Sequence, residues 1–244
     1  MTLTGDILVG FDNEGGLSKN DNAYEATLAL AKLLEKSDPR FWFNVAPGIT
    51  ITPSSEEKGM SLGEIIASRF YHFLSTIDDI WGDFHLIAKD PTYSSGHTLK
   101  VDLAFYKAMG ATFQWLYDFA RQSLLVVPNV QSMLAELTRK YKVWQVSTSY
   151  DWFIRAFCDR VGFDFTKAYC TRVPKFDEIG VSHGEKRQLL SFMKEVAQMP
   201  IIKYNGKTGE VVPEHQAHYD RFTNFIWSAV YEDMRVGEFM RIVH

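Results

Sequence analysis

"GDILVGFDNEGGLS", residues 5–18, passes from an uncharged apolar run straight into two carboxylates and two glycines. Ile7 to Phe11 have the length and apolarity of a central parallel strand covered on both faces. Asp12 and Glu14 follow with one residue between them. Open α/β sheets bind their ligands at the carboxyl ends of strands, so acids placed there point to chemistry rather than to a solvated turn. Gly15 and Gly16 supply the backbone freedom that lets amide groups face a bound anion.

Outward from this stretch, Asn20 or Asp21 is positioned to cap a helix in "NAYEATLALAKLLEK", where Ala23, Leu28, Ala31 and Leu34 recur at helical spacing. "SDPRFW" ends it, because proline disfavours helix in the residue before it. Two further helical stretches follow, "SLGEIIASRFYHFLSTIDDIW" and the aromatic "VDLAFYKAMGATFQWLYDFARQ", separated by the loop-like "KDPTYSSGHT". From Val130 the pattern becomes helix, then the strand "YKVWQVS", a small-residue turn and another helix. That is the repeating piece of a doubly wound α/β sheet. "DFTKAYCTRV" reads as a further short strand, "IIKYNGKTGEVV" as a β-hairpin, and "HYDRFTNFIWSAVYEDMRVGEFMRIV" as helix.

The 244 residues are 46% hydrophobic and 23% charged, the composition of a globular protein with one large domain or a core plus an insertion. A net charge of −4 gives no electrostatic case for nucleic acid or an anionic membrane surface. No apolar stretch reaches the ~20 residues that span a bilayer. "MTLTGDILVG" lacks the basic and long apolar regions of a secretion signal, so a cytoplasmic location is expected. Cys158 and Cys170 form neither a disulfide framework nor a zinc knuckle.

Two strand ends therefore carry reactive groups, Asp12 to Ser18 early and Ser147-Thr148-Ser149 late, with a mostly helical region between them. This arrangement resembles the haloacid dehalogenase (HAD) superfamily. "ILVGFDNEGGLS" is similar to that family's first motif, a strand followed by Asp-x-Asp-Gly-Thr-Leu. "PNVQSMLAELTRKYKVWQVSTSYDWF" looks like its helix and strand leading to a second-motif Ser or Thr, with the spacing of the phosphoserine phosphatase branch. The resemblance implies a HAD-like, doubly wound, Rossmann-like parallel-sheet core with a helical cap inserted after the first strand. Residues 1–22 and 124–199 would form the core, 23–123 the cap, and 200–244 a hairpin-plus-helix extension.

It also implies a Mg²⁺-dependent phosphatase acting on a small phosphorylated metabolite through an aspartyl-phosphate. Asp12 would be the nucleophile, Glu14 the general acid/base, and both would ligate the metal. Ser147, or Thr148 if the register lies one residue on, would hold a phosphate oxygen. Gly15 would donate an amide to the phosphate, and Lys186 in "HGEKRQLLSF" would be the third-motif lysine.

Three departures mark this chain. Glu14 stands where the family has aspartate, carrying its carboxyl group about 1.5 Å further out. Gly16 replaces the customary Thr or Val. No acidic cluster of the Gly-Asp-x-x-x-Asp type follows Ser147, and the sequence stops at "FMRIVH" within an apolar run, as though cut before a last βα portion. A catalytically weak HAD-like binding protein is the second reading. His215 and His218 have metal-ligand spacing but no evident third partner, and Asp78, Asp79 and Asp83 read as a solvated helix end. The rings from Phe105 to Tyr117 read as packing.

Overall fold

A computed structural model describes residues 7–82 and 99–239. The expected loop at 89–98 and Asp83 lie outside the described residues. The fold is mixed α/β, with a three-stranded parallel sheet. By their contacts, residues 7–26 and 112–176 form one compact unit, and 27–82 with 99–111 and 177–239 form another.

The first unit holds the sheet. Strands β1 (Leu8–Phe11), β2 (Lys142–Tyr150) and β3 (Ala168–Thr171) lie in the order β1-β2-β3, with β2 in the middle. Val9 pairs with Val143 and Phe11 with Gln145, and across the sheet Gln145 pairs with Ala168. Helix α6 (Val130–Lys140) precedes β2, and α7 (Asp151–Val161) follows it with no intervening loop. Gly162, at φ +71°, ends α7 in the left-handed conformation that glycine adopts without penalty. Val143, Leu134 and Phe157 are buried where α6 and α7 pack on β2. Helix α5 (Phe113–Ser123) packs on α7, and its Phe113 ring meets Trp152 edge-on at 6.1 Å.

The first strand departs from expectation. It is an edge strand of the described sheet, and only Val9 and Phe11 face the helices. On the other face Leu8 is 66% exposed, Val146 54% and Tyr169 62%, with Trp144 stacked on Tyr169 at 5.2 Å. An all-apolar run fits a strand buried on both faces, but among the described residues the sheet has helices on one face alone.

The second unit is helical: most of α1 (Asn22–Ser37), then α2 (Phe41–Asn44), α3 (Leu62–Asp79), α4 (Leu99–Met109), α8 (His183–Val196) and α9 (Pro213–Asn224), which runs into a π-helix at Phe225–Asp233. Ala23, Ala26, Leu30 and Ala31 form the buried stripe of α1, while Leu28 and Leu34 are half-buried. Ser61 and Glu64 start α3 with a reciprocal capping box, and Ser182 and Glu185 do the same for α8. The stretch expected as one aromatic helix is two, α4 and α5, parted at Gly110 with φ +89°. The expected hairpin at 201–212 is a turn with a single antiparallel bridge between Tyr204 and Val211.

Rings form the middle of this unit: Phe70 lies 4.4 Å from Phe105, and Phe192 stacks on Phe225 at 3.7 Å. Two cations tie loops to helices. Lys194, buried on α8, donates to the carbonyls of Trp42, Val45 and Ala46 at 2.7, 2.8 and 3.1 Å. Burial lowers its pKa, and the three carbonyls compensate the ammonium for lost water. Arg69 on α3 grips both Glu57 oxygens at 2.7 Å and reaches the carbonyls of Thr52 and Ala197.

The Arg69 guanidinium holds Glu57 down at about 2, from an ordinary 4.5. A depressed carboxylate stabilises the fold fully above its unfolded pKa and loses that contribution as pH falls through its folded one. Glu57→Gln is therefore expected to cost roughly 1–2 kcal/mol near neutral pH, the size of a charge-assisted contact at a partly exposed site. In thermal melts the gap between wild type and variant should shrink from about pH 4.5 down to about pH 2; a gap independent of pH would contradict this.

Candidate active site

The loop after β1 is folded by its own polar groups. Asp12 is exposed, and its Oδ1 accepts the Asn13 amide at 2.7 Å. Asn13 is fully buried; its carbonyl takes the amides of Leu17 and Ser18, both at 2.8 Å, and its Oδ1 takes the Ser18 hydroxyl at 2.9 Å. Gly15 sits at φ +76°, and its amide donates to the Ser18 carbonyl at 2.9 Å. A Cβ on Gly16 would lie 2.8 Å from the Asp12 carbonyl oxygen. Both glycines are thus required by the turn itself. The chain then pairs Leu17 and Lys19 with the 125–127 segment, and Asp21 receives the Tyr24 amide at the start of α1. Asn20 instead bridges Glu25, the Ser123 carbonyl and the Leu125 amide.

The second strand end is a bulge. Val146 pairs with Tyr169, and the next pair is Tyr150 with Thr171, so β2 spends two more residues than β3 over this interval. Bulges re-aim side chains and recur beside functional sites. Ser147, expected as the last residue of the strand, and Thr148 and Ser149, expected in the turn after it, lie inside this bulge. Ser147 Oγ donates to Ser149 Oγ at 3.2 Å and accepts the Ser149 amide at 3.2 Å. Thr148 is exposed, and its carbonyl accepts the Thr171 hydroxyl at 2.6 Å.

Glu14 joins the two strand ends. Its Oε1 accepts the Asn22 amide at the start of α1 at 2.9 Å, and the Ser149 hydroxyl lies near enough to favour its charged form. Burial pushes Glu14 above the usual carboxylate range; the Asn22 amide and Ser149 hydroxyl pull it partly back, and the negative charges of Asp21 and Asp12 push it up further. Phe11 pairs with Gln145, so Asp12 and Ser147 belong to neighbouring parallel strands at one end of the sheet. Asp12, Glu14, Gly15, Ser147 and Thr148 are all brought to that end.

Lys186 lies on the first turns of α8, in the second unit, half-buried. His215 is buried, and its Nδ1 accepts the Lys203 amide at 2.8 Å, a structural use rather than a ligand's. Burial raises both thiols, Cys158 to about 12 and Cys170 to about 11, which keeps them protonated and poor nucleophiles.

Sequence reasoning passed over four residues. Ser149 was visible as the third hydroxyl of "STS". Asn22, buried on the first turn of α1, lends its amide to Glu14 while its own side-chain Oδ1 and Nδ2 have no partner among the described residues. Asn13 organises the loop. Asp151, buried at the start of α7, is raised by burial and lowered by Arg155 and Arg172, whose guanidinium groups lie 4.1 and 4.0 Å from the centroid of the Phe165 ring.

Gly16→Ala forces its Cβ against the Asp12 carbonyl, a backbone atom that cannot swing aside. The expected cost is roughly 1–3 kcal/mol, typical of overpacking. Urea denaturation checks it, and an unchanged midpoint would show that the turn relaxes freely.

No family model matches this chain, and no curated protein does. Among solved structures it is similar to the gene product AF1437 from Archaeoglobus fulgidus, with a TM-score of 0.65 at 22% sequence identity. The similarity covers 98% of this chain and 58% of that one, so this chain spans little more than half the length of the structure it matches. At this identity the likeness concerns the fold.

Proposed function

We propose that this chain carries the site of a HAD-type phosphatase acting on a small phosphorylated metabolite. One observation supports the reading above all: neighbouring parallel strands carry the exposed carboxylate of Asp12, the half-buried carboxyl group of Glu14 and the hydroxyl of Ser147 to the same end of the sheet. A helical cap selecting the substrate, and a phosphate contact from Lys186, belong to the same proposal.

The chemistry follows from where the protons are. Asp12 is exposed and carries the nucleophilic oxygen; the Asn13 amide holds Oδ1, leaving Oδ2 for attack. Attack forms an Asp12 O–P bond as the P–O bond to the leaving alcohol breaks. Glu14, raised by burial, suits the proton donor to that alcohol. As a carboxylate it then takes the proton of the water that cleaves the acyl phosphate and releases inorganic phosphate. Ser147 has one hydroxyl proton to turn toward a phosphoryl oxygen.

Mg²⁺ is usually held by one or two carboxylates together with substrate oxygens. The exposed Asp12 carboxylate fits that donor set, whereas Glu14, half-buried and engaged by the Asn22 amide, fits proton transfer better. When bound, the ion would offset the repulsion between Asp12 and a phosphate dianion.

Incubation with Mg²⁺ and an aryl phosphate tests the reading. Wild-type protein is expected to turn over, and Asp12→Asn to lose at least about a thousandfold, as when a covalent nucleophile is removed. Activity surviving Asp12→Asn would sink the assignment. Mg²⁺-dependent phosphate binding without turnover would favour a HAD-like binding protein.

A further inference from the structure

We propose that the open face of the sheet is a docking surface for an amphipathic α-helix belonging to a longer form of this polypeptide. Nothing in this depends on the phosphatase reading.

Alternate residues of all three strands make the face. Leu8 pairs with Lys142, Gly10 with Trp144, and Val146 with Tyr169, so these six side-chain positions share one side of the sheet. On the other side Val143 and Gln145 are buried. Leu8, Val146 and Tyr169 instead stay more than half exposed, and the Trp144 ring lies on Tyr169 at 5.2 Å. Single exposed apolar residues need no explanation, but four adjoining ones on a sheet form a contiguous patch, the mark of an interface.

The strand direction says what kind of partner fits. Both strand pairs are parallel. An antiparallel sheet can leave one face to water, whereas parallel sheets have both faces covered, by the helices that cross over between their strands. Three strands about 4.8 Å apart make a surface roughly 10 Å wide. A helix with its side chains measures about 10–12 Å across, so one helix covers the patch. Gly10 supplies the seat. It is exposed, a Cβ built on it would meet nothing within 4 Å, and it stands between Leu8 along β1 and Trp144 across on β2. Glycine inside a strand often marks the close approach of another backbone. The complementary helix therefore carries an apolar stripe, with a carboxylate where it passes Lys142, the one charged residue among the described strand residues of this face.

A second copy of the chain would offer the same parallel face, sheet on sheet, which is the packing of antiparallel sandwiches. Polypeptide able to supply a helix is present in the similar fold. The match with the Archaeoglobus fulgidus structure takes in 98% of this chain and 58% of that one, leaving two-fifths of the latter outside it.

Val146→Cys and, separately, Tyr169→Cys test the assignment by labelling with a water-soluble maleimide, in the 244-residue chain and in the complete product of its gene. Wild type, whose two thiols burial keeps protonated, is the blank. Both introduced cysteines are expected to react fast in the 244-residue chain, at the mass of one copy. In the longer product they should react at least about tenfold more slowly, because a covered site reacts only when it opens. Equal rates in the two, or a gene that encodes nothing outside these residues, would overturn the proposal. Slow labelling in the 244-residue chain overturns it as well: in a dimer a second copy is the occupant, and in a monomer the chain covers its own face.

Discussion

The carboxyl group of Glu14 has to be satisfied inside the protein, and much of the first unit follows from how this is done. Water cannot solvate it fully, so the amide that opens α1 is brought to it, and the hydroxyl of a serine in the β2 bulge lies near. A buried polar group left unpaired costs far more than a hydrogen bond returns. That asymmetry ties the loop after β1, the start of α1 and the end of β2 into one unit. The helix amide is a good partner because the start of a helix carries partial positive charge.

The two glycines and Asn13 serve the same constraint. Gly15 takes a positive φ and Gly16 lets the turn close on the Asp12 carbonyl, while Asn13 gathers the amides of Leu17 and Ser18. The loop therefore holds its shape by internal bonds, leaving the Asp12 carboxylate at the surface. One carboxyl group is half-buried and raised, and its neighbour is exposed. Separating two acids by environment in this way is how one site assigns different roles to like groups.

The helical unit solves a different problem with the same rule. Lys194 and Arg69 bring positive charge against backbone carbonyls, so that the chain between α2 and α3 has its polar groups answered by helix side chains. Stacked rings such as Phe192 on Phe225 fill the space between helices. In the sheet, by contrast, the face of Leu8, Trp144, Val146 and Tyr169 remains apolar and open among the described residues.

The alternation of helix and strand from Val130 to Thr171 and the strand end at Asp12 were legible in the sequence, because each rests on local chemistry: apolar periodicity and turn formers. So was the pairing of Asp12 and Glu14 with the Ser147 region, carried by spacing and a resemblance. Other features were decided only by the tertiary structure. An apolar run such as Ile7 to Phe11 has no local mark that tells an edge strand from a central one; pairing partners set that. Nothing in "VSTSYD" announces a bulge, since it is a mismatch between two strands distant in sequence. The contact between Ser147 and Ser149 exists only because of that mismatch, and the shifted acidity of Glu14 comes from burial that no single segment provides.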